Sequence, residues 1–451
     1  MKYALTLGLL SLFLSPALAL ADGDIGQDYY SLYFDTAKFR PDGSQAWEKV
    51  ESMTADSETN SDLGELRALA VDDGGYVYLT GRLTSIYEND TIILVYSPDG
   101  RLGEEYQLKY LDPYALATGA DRHLFLTGTD NGLLATALVN AWEVDYPKSI
   151  NIHARGIAVD DNGNVYVGAL DASKTPPELL IICYSVDGKL RGVRSSNFQS
   201  GVSWVVGVAV DSLGDVVAVG TSVDHNIVAV SYDPDGNQRW STRYAAPNSQ
   251  VAAESFALDS QDNTIIGGSM TKGPATVANV LKLDPAGEVL WTRQVNSSSN
   301  GSVKVAVDGL DNIYAVTDSN AVKFDAEGGR SWVITPDFAP IFVAVDAGGD
   351  VFAAIVEYES VNVSKHGPDG SLLWSLVVNS AGSDVDLFEV KGLAVDPEGN
   401  VVVAAYEIDH QYEGGGGYGD DTYTGDDTYS DDDTGAGSDD DNGGSGCGCN
   451  L

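Results

Sequence analysis

The chain has 451 residues, enough for one large repeat domain with extensions. Its 67 acidic and 25 basic residues give a net charge of −42, which disfavours nucleic acids and anionic lipid surfaces as partners because like charges repel. Three cysteines are too few for a disulfide scaffold, so we expect stability to come from a buried core.

Residues 1–21 predict a secretory signal peptide. Lys2 precedes an apolar run, Pro16 ends it, and Ala19-Leu20-Ala21 fits a small-x-small cleavage site. No later stretch is apolar over the roughly 18 residues that a membrane-spanning helix needs. We therefore expect a secreted or cell-surface protein without a transmembrane segment.

A phrase built on Ala-Val-Asp, followed by a turn and a short β-branched strand, recurs at intervals of 38 to 51 residues. Its aspartates are Asp72, Asp160, Asp211, Asp259, Asp308, Asp346 and Asp396. A degenerate copy of the phrase runs over residues 117–128, with Gly119 in place of the aspartate. An all-β repeat of this length is typical of a β-propeller blade. Because aspartate accepts backbone N–H bonds in turns, we interpret these seven residues as structural turn residues rather than metal ligands.

The second half of each unit is an apolar strand, a turn related to Pro-Asp-Gly, and a strand that often carries tryptophan. Trp47, Trp240, Trp291, Trp332 and Trp374 all lie five residues after the middle residue of that turn. This constant place predicts a packing role between neighbouring blades, with a ligand site lined by tryptophan as the alternative.

The number of half-units predicts how the ring closes. The last first half, residues 392–409, has no second half after it, whereas an unpaired second half at residues 29–50 begins the chain. We therefore predict an all-β protein with a single propeller over residues 22–410. It has eight four-stranded blades, and the N-terminal strands complete the last one. Seven blades is the alternative, because the second half at residues 135–145 lacks the Asp-Gly turn.

The phrases resemble the bacterial β-propeller repeat family called SBBP. Gly156-Ile157-Ala158-Val159-Asp160 through Gly168 is similar to its first phrase, and Lys282 through Trp291 is similar to its second. The resemblance implies an exported bacterial propeller and no particular catalytic residues. The second phrase also resembles repeats of quinoprotein propellers, which typically carry an adjacent cysteine pair; this chain has none, so we expect no quinone cofactor.

Residues 411–451 contain ten aspartates, one glutamate and no lysine or arginine. Such a segment buries too little apolar surface to fold, so we predict a disordered acidic tail. Its carboxylates are candidates for weak Ca²⁺ binding. The candidate residues are Asp420, Asp421, Asp426, Asp427, Asp431, Asp432 and Asp433. The alternative is that the tail is a solvated spacer that binds no ion. No other cofactor is expected.

Two of the three cysteines lie at the end of the tail. Cys447 and Cys449 follow a glycine-rich spacer that resembles the start of certain C-terminal sorting signals of bacterial surface proteins. This resemblance implies attachment to the surface. A Cys-Gly-Cys pair is also able to form a strained disulfide, hold a metal or accept a modification, and an exposed pair with no dedicated role is the alternative. Cys183 lies in a buried-strand pattern and is interpreted as a core thiol.

The sequence argues against an enzyme without excluding one. The five histidines are scattered, and neither a zinc-binding spacing nor a nucleophile elbow is present. Our first hypothesis is an exported binding or scaffold protein that engages a protein or glycan at the bacterial cell surface. The alternative is an extracellular metal-assisted lyase or hydrolase with its site at the propeller axis, and a structural role in a surface layer is a third option.

Overall fold

The computed structural model describes residues 28–53, 64–84, 89–109, 111–119, 122–130, 133–139, 141–146, 151–295, 301, 303–317, 319–334, 342–357, 360–379 and 385–412. The predicted signal peptide and residues 413–451 of the predicted tail lie outside these ranges. In the described part of the chain no helix is long and apolar enough to cross a membrane.

The regular elements of the described residues are β-strands. In chain order they are β1 (Asp28–Phe39), β2 (Gln45–Ser52), β3 (Glu65–Val71), β4 (Val77–Thr84), β5 (Asn89–Tyr96), β6 (Leu102–Lys109), β7 (Leu111–Thr118), β8 (Leu124–Asp130), β9 (Leu133–Leu138), β10 (Trp142–Asp145), β11 (Ile152–Val159), β12 (Val165–Asp171), β13 (Glu178–Tyr184), β14 (Leu190–Ser196), β15 (Val202–Val210), β16 (Val216–Ser222), β17 (Ile227–Tyr232), β18 (Gln238–Tyr244), β19 (Gln250–Leu258), β20 (Thr264–Lys272), β21 (Ala275–Leu283), β22 (Val289–Val295), β23 (Val303–Val307), β24 (Ile313–Thr317), β25 (Ala321–Phe324), β26 (Arg330–Ile334), β27 (Phe342–Val345), β28 (Val351–Glu357), β29 (Ser360–His366), β30 (Leu372–Asn379), β31 (Val385–Val395) and β32 (Val401–Tyr412).

These strands form eight four-stranded antiparallel sheets. We number them as blade 1 (β3–β6), blade 2 (β7–β10), blade 3 (β11–β14), blade 4 (β15–β18), blade 5 (β19–β22), blade 6 (β23–β26), blade 7 (β27–β30) and blade 8 (β31, β32, β1 and β2). The degenerate repeat that contains residues 117–128 forms a complete blade 2. Its strands β9 and β10 are paired although the turn between them lacks Asp-Gly.

The first strands of the blades are the inner strands of a closed ring. β3 contacts β7, β7 contacts β11, and the contacts continue through β15, β19, β23, β27 and β31 back to β3. The described strands therefore form a β-propeller with eight blades, as the sequence predicts.

Blade 8 joins the two ends of the described chain. β1 pairs with β32 over twelve consecutive positions, from Asp28 opposite Tyr412 to Phe39 opposite Val401. The N-terminal strands thus supply the third and fourth strands of the last blade, which confirms the predicted closure.

The core lies between the faces of neighbouring blades. Second strands such as β12 and β16 are buried along their whole length, because a blade covers each of their faces. Fourth strands such as β18 alternate between exposed and half-buried side chains, as expected at the rim. Burial of these apolar faces is the main stabilising contribution to the ring.

Candidate functional site

The seven repeated aspartates organise the turn between the first and second strands of their blades. In each of them Oδ1 accepts the backbone N–H groups of the residues two and four positions later, at 2.8 to 3.0 Å. These aspartates are Asp72, Asp160, Asp211, Asp259, Asp308, Asp346 and Asp396. One carboxylate oxygen of every repeat is therefore used within its own turn.

The other carboxylate oxygen has a partner that differs around the ring. In blades 5 to 8 it faces a buried lysine of the third strand; the pairs are Asp259–Lys282 at 2.8 Å, Asp308–Lys323 at 3.9 Å, Asp346–Lys365 at 3.7 Å and Asp396–Lys38 at 2.7 Å. In blades 1 and 3 a tyrosine hydroxyl takes this place, from Tyr78 at 2.7 Å and Tyr166 at 3.2 Å, and in blade 6 the Tyr314 hydroxyl donates to Asp308 at 2.9 Å in addition to the lysine. In blade 4 neither partner is present, and burial, with Asp215 and Asp262 nearby, raises the pKa of Asp211 to about 6.

The candidates in the tail, from Asp420 to Asp433 and at Cys447 and Cys449, lie outside the described residues. Among the residues that are described, no group of three or more His, Cys, Asp or Glu side chains is arranged to hold a metal ion. Cys183 is free and half-buried, and burial raises the pKa of its thiol.

A set of mostly charged or aromatic residues that the sequence analysis missed lies on the inner strands. In six of these strands the register with the second strand shifts by one residue at the same place, which is the signature of a β-bulge. The extra residues are Arg67, Tyr114, Arg155, Val206, Glu254 and Lys391. We call these residues the bulge ring; a bulge redirects a side chain that regular pairing would hold between blades.

Each member of the bulge ring lies five residues before the repeated aspartate, or before Gly119 in blade 2. The residues after that position keep their pattern from unit to unit, whereas this position changes from cation to anion to aromatic. The signal in the sequence was therefore variation at a fixed place in the repeat.

In blades 8 and 1 the charges of the bulge ring are neutralised locally. Arg67 lies 2.7 Å from Glu65 and 3.2 Å from Asp112 of the next inner strand, and Lys391 lies 2.7 Å from Glu389. Glu389 also accepts a hydrogen bond from the Tyr406 hydroxyl at 2.7 Å. These groups hold adjacent blades together and leave little unpaired charge.

Blade 3 differs, because its bulge residue Arg155 has no ion pair among the described residues. Its guanidinium carbon lies 3.9 Å from the ring centroid of Trp204 on the inner strand of blade 4, and its buried Nε has no hydrogen-bond partner. Burial lowers the pKa of Arg155, with Tyr114 acting in the opposite direction. Burial, with Arg155 adding to it, also lowers the pKa of His153.

The backbone brings Arg155 onto Trp204 through a close approach of two inner strands. A β-carbon built on Gly156 would lie 2.9 Å from Cα of Gly207, so only glycine allows this spacing of β11 and β15. We call Tyr114, His153, Arg155 and Trp204 the axial cluster. It places the guanidinium of Arg155 beside aromatic rings, an arrangement suited to carboxylates, phosphates or sugar hydroxyls.

No family model matches the chain, and no curated protein matches it. Among solved structures, it is similar to a catalytically inactive virginiamycin B lyase from Staphylococcus aureus with quinupristin, at 13% identity over 71% of this chain and 96% of that chain, with a TM-score of 0.47. It is also similar to a protein from Lactobacillus plantarum at 12% identity over 69% of this chain and 96% of that chain, with a TM-score of 0.44. A gluconolactonase from Xanthomonas campestris shows 12% identity over 66% of this chain and 93% of that chain, with a TM-score of 0.32. Such identities concern the fold alone, and the SBBP resemblance stays a prediction.

Proposed function

We propose that this protein is an exported binding protein that holds a protein or glycan of the bacterial cell surface at its axial cluster. Export is the expectation from residues 1–21, and binding is supported by the geometry of the inner strands. The observation that carries the proposal is Arg155: half-buried, stacked on Trp204 and without an acidic partner among the described residues.

The physical argument is that an arginine so placed is costly for the free protein. Nε is buried without a hydrogen-bond partner in both arginines of the bulge ring, Arg155 and Arg67. The charge of Arg67 is balanced by two carboxylates, whereas the partly desolvated charge of Arg155 has no carboxylate partner among the described residues. A ligand that accepts hydrogen bonds from Arg155 would remove this cost on binding. Among the described residues, no group of three or more His, Cys, Asp or Glu side chains lends support to the metal-assisted alternative.

The net charge of −42 restricts the ligand further. A polyanion would be repelled at long range by the whole protein, even though Arg155 attracts an anionic group at short range. We therefore expect a ligand that is neutral or carries isolated acidic groups, and we expect its affinity to change little or to rise as salt screens the repulsion.

The test is a binding assay on the mature protein with two sets of probes: oligosaccharides released from bacterial envelopes, and purified envelope proteins. Substituting Arg155→Gln should weaken binding of the true ligand by about tenfold or more, as expected for a central buried contact. The control is Arg239→Gln, which removes an exposed arginine paired with Asp215 at the rim. Binding that is the same in both variants, or absent with both sets of probes, would contradict the proposal.

A further inference from the structure

The junctions between blades follow a common pattern built on tryptophan. The indole N–H of a fourth-strand tryptophan donates to a carbonyl in the outer turn of the next blade: Trp47 to Pro98 at 3.1 Å, Trp291 to Ala326 at 3.2 Å, Trp332 to Pro368 at 2.9 Å and Trp374 to Pro41 at 2.9 Å. A third-strand lysine reaches the same carbonyl in three of these junctions, from Lys38 at 3.4 Å, Lys282 at 3.0 Å and Lys323 at 3.1 Å. Each of these four junctions is thus filled by a flat ring, and three of them by an ammonium group as well.

The strand register shows where this filling is missing. Lys282 pairs with Trp291 in blade 5, and the corresponding pair is Cys183 with Gly192 in blade 3. In blade 1 the corresponding pair is Val95 with Glu104. Both the tryptophan and the lysine are therefore absent at the junctions that follow blades 1 and 3.

A cavity lies at each of these two junctions. The cavity at the junction of blades 3 and 4 has a volume of about 180 Å³ and is lined by Tyr166, Cys183, Gly192, Arg194, Tyr232 and the turn at residues 233–236. The cavity at the junction of blades 1 and 2 is smaller, about 110 Å³, and contains the side chain of Glu104. An apolar cavity of roughly 150 Å³ holds a benzene molecule, so the larger one has room for an aromatic ring. Unlike that apolar cavity, it is also lined by the charged side chains Arg191 and Arg194.

The frame of a filled junction is kept around the larger cavity. Arg194 donates from Nε to the carbonyl of Gly236 at 2.7 Å, just as Arg293 donates to that of Gly328 at 2.7 Å beside Trp291. The guanidinium carbon of Arg293 lies 5.3 Å from the Trp291 ring. The two arginines differ in how they cover the turn glycine: a β-carbon on Gly236 would lie 2.2 Å from Cζ of Arg194, whereas one on Gly328 would lie 2.9 Å from the Trp291 ring and 3.1 Å from Cζ of Arg293. The junction of blades 3 and 4 therefore has the arginine without the indole, and its guanidinium covers the glycine that the indole covers elsewhere.

The acceptor for the missing indole is also in place. Pro234 holds the position in its turn that Ala326 holds opposite Trp291. Among the described residues, neither an indole N–H nor an ammonium group donates to the carbonyl of Pro234. The turn keeps the same backbone bonds as the others, since the N–H of Gly236 donates to the carbonyl of Asp233 at 2.8 Å.

We propose that the cavity at the junction of blades 3 and 4 is a binding site for a small, flat aromatic molecule of the indole class that carries an N–H group. Its ring occupies the cavity left next to Gly192 and beside the Arg194 guanidinium, and its N–H donates to the carbonyl of Pro234. The site is separate from the axial cluster and does not depend on the function proposed there.

The test uses indole itself, titrated into the mature protein and followed by isothermal titration calorimetry and by ligand-observed NMR. We expect one indole per wild-type chain, and binding of 1-methylindole that is up to about tenfold weaker because it has no N–H to donate. Gly192→Trp should fill the cavity and abolish binding; the backbone permits this change, since a β-carbon there meets only the end of the Arg194 side chain at 3.0 Å. Gly192→Leu is the second filling variant in case the first does not fold.

The matched control is Trp291→Gly, which empties a filled junction. It should gain a second site, so that two indoles bind per chain and added indole raises the unfolding midpoint of this variant. Indole binding by Trp291→Gly at its new site without any binding to the wild type would overturn the proposal, as would wild-type binding that persists in both filling variants. Arg155→Gln should bind indole as the wild type does, which keeps this result distinct from the test of the axial cluster.

Discussion

The buried charges of this ring differ in how well they are satisfied. Asp259 is 6% exposed and has an ammonium group and two backbone N–H groups around it. Asp35, in β1, is 3% exposed, and neither of its carboxylate oxygens has a hydrogen-bond partner. Its nearest charged groups, Glu48 on β2 and Glu407 on β32, carry the same sign. Burial first, and these two carboxylates next, raise the pKa of Asp35 to about 7.

This raised pKa predicts a pH-dependent stability. Since the pKa of this carboxyl in the unfolded chain has its ordinary value of 3.8, the folded state binds the proton more tightly. The contribution of Asp35 to stability is therefore fully present below pH 3.8 and is lost as the pH rises to about 7. Asp35→Asn should remove this fall and raise the free energy of unfolding above pH 7 by about 2 to 4 kcal/mol. The measurement is urea denaturation at several pH values between 4 and 8.

Asp369→Asn is the control for this experiment, because it removes an exposed carboxylate whose pKa is lowered by hydrogen bonds from Ser371. It should leave the shape of the profile between pH 4 and 7 unchanged. A fall in stability that is the same in the wild type and in Asp35→Asn would show that another group takes up the proton.

At the scale of elements, each outer turn serves the blade before it as well as its own. Gly100 has φ +81°, and a β-carbon built on it would lie 2.5 Å from the ring of Trp47 in blade 8. The glycine is thus required twice, once by the turn and once by the indole that lies against it. This explains why the Asp-Gly turn and the tryptophan recur together in the sequence.

Gly100→Ala should therefore cost more than backbone strain alone. We expect a loss of about 2 to 4 kcal/mol in the free energy of unfolding, from the left-handed φ and the displaced indole together. Gly273→Ala is the matched control: its φ is +59° but no atom lies within 4 Å of the added carbon, so it should lose only about 1 kcal/mol. Equal losses, measured by chemical denaturation, would mean that contact with Trp47 contributes nothing.

The elements also show what the sequence could and could not predict. The turn chemistry, the blade period and the contact of Trp47 with the next blade were predictable, because each repeats a residue type at a fixed spacing. The bulge ring was missed because its positions vary, and a bulge depends on pairing between strands that no single strand reveals. Asp35 was missed for a related reason: Glu407 becomes its neighbour only when the two ends of the chain meet.

At the scale of the whole molecule, closure depends on β1 and β2. Their apolar side chains enter two cores, Phe34 packing toward blade 1 and Phe39 toward blade 7. Without these strands β32 would present an open edge, and both cores would be exposed. Seven complete blades and the two remaining strands of blade 8 would then have to close a ring whose geometry requires eight complete blades.

Deleting residues 28–53 should abolish cooperative unfolding of the monomer and promote self-association through the open edge of β32. Size-exclusion chromatography and thermal unfolding followed by circular dichroism measure both effects. A chain that begins at Asp28 is the control and should behave as the full-length protein. A peptide of residues 28–53 added to the shortened chain should restore the transition, whereas a cooperative monomer without the peptide would refute the role of closure.

The pairing of β1 with β32 has a mechanical consequence. Asp28 lies opposite Tyr412, so the outer ends of the two closing strands are at the same end of the pair. Tension between these ends would load the hydrogen bonds one after another, as a zipper is opened, rather than all twelve pairs in shear. If force is applied through only one of these two ends, the pairing of β1 with β32 is not loaded and the ring stays closed. If force is applied between both ends, the ring opens at blade 8 first.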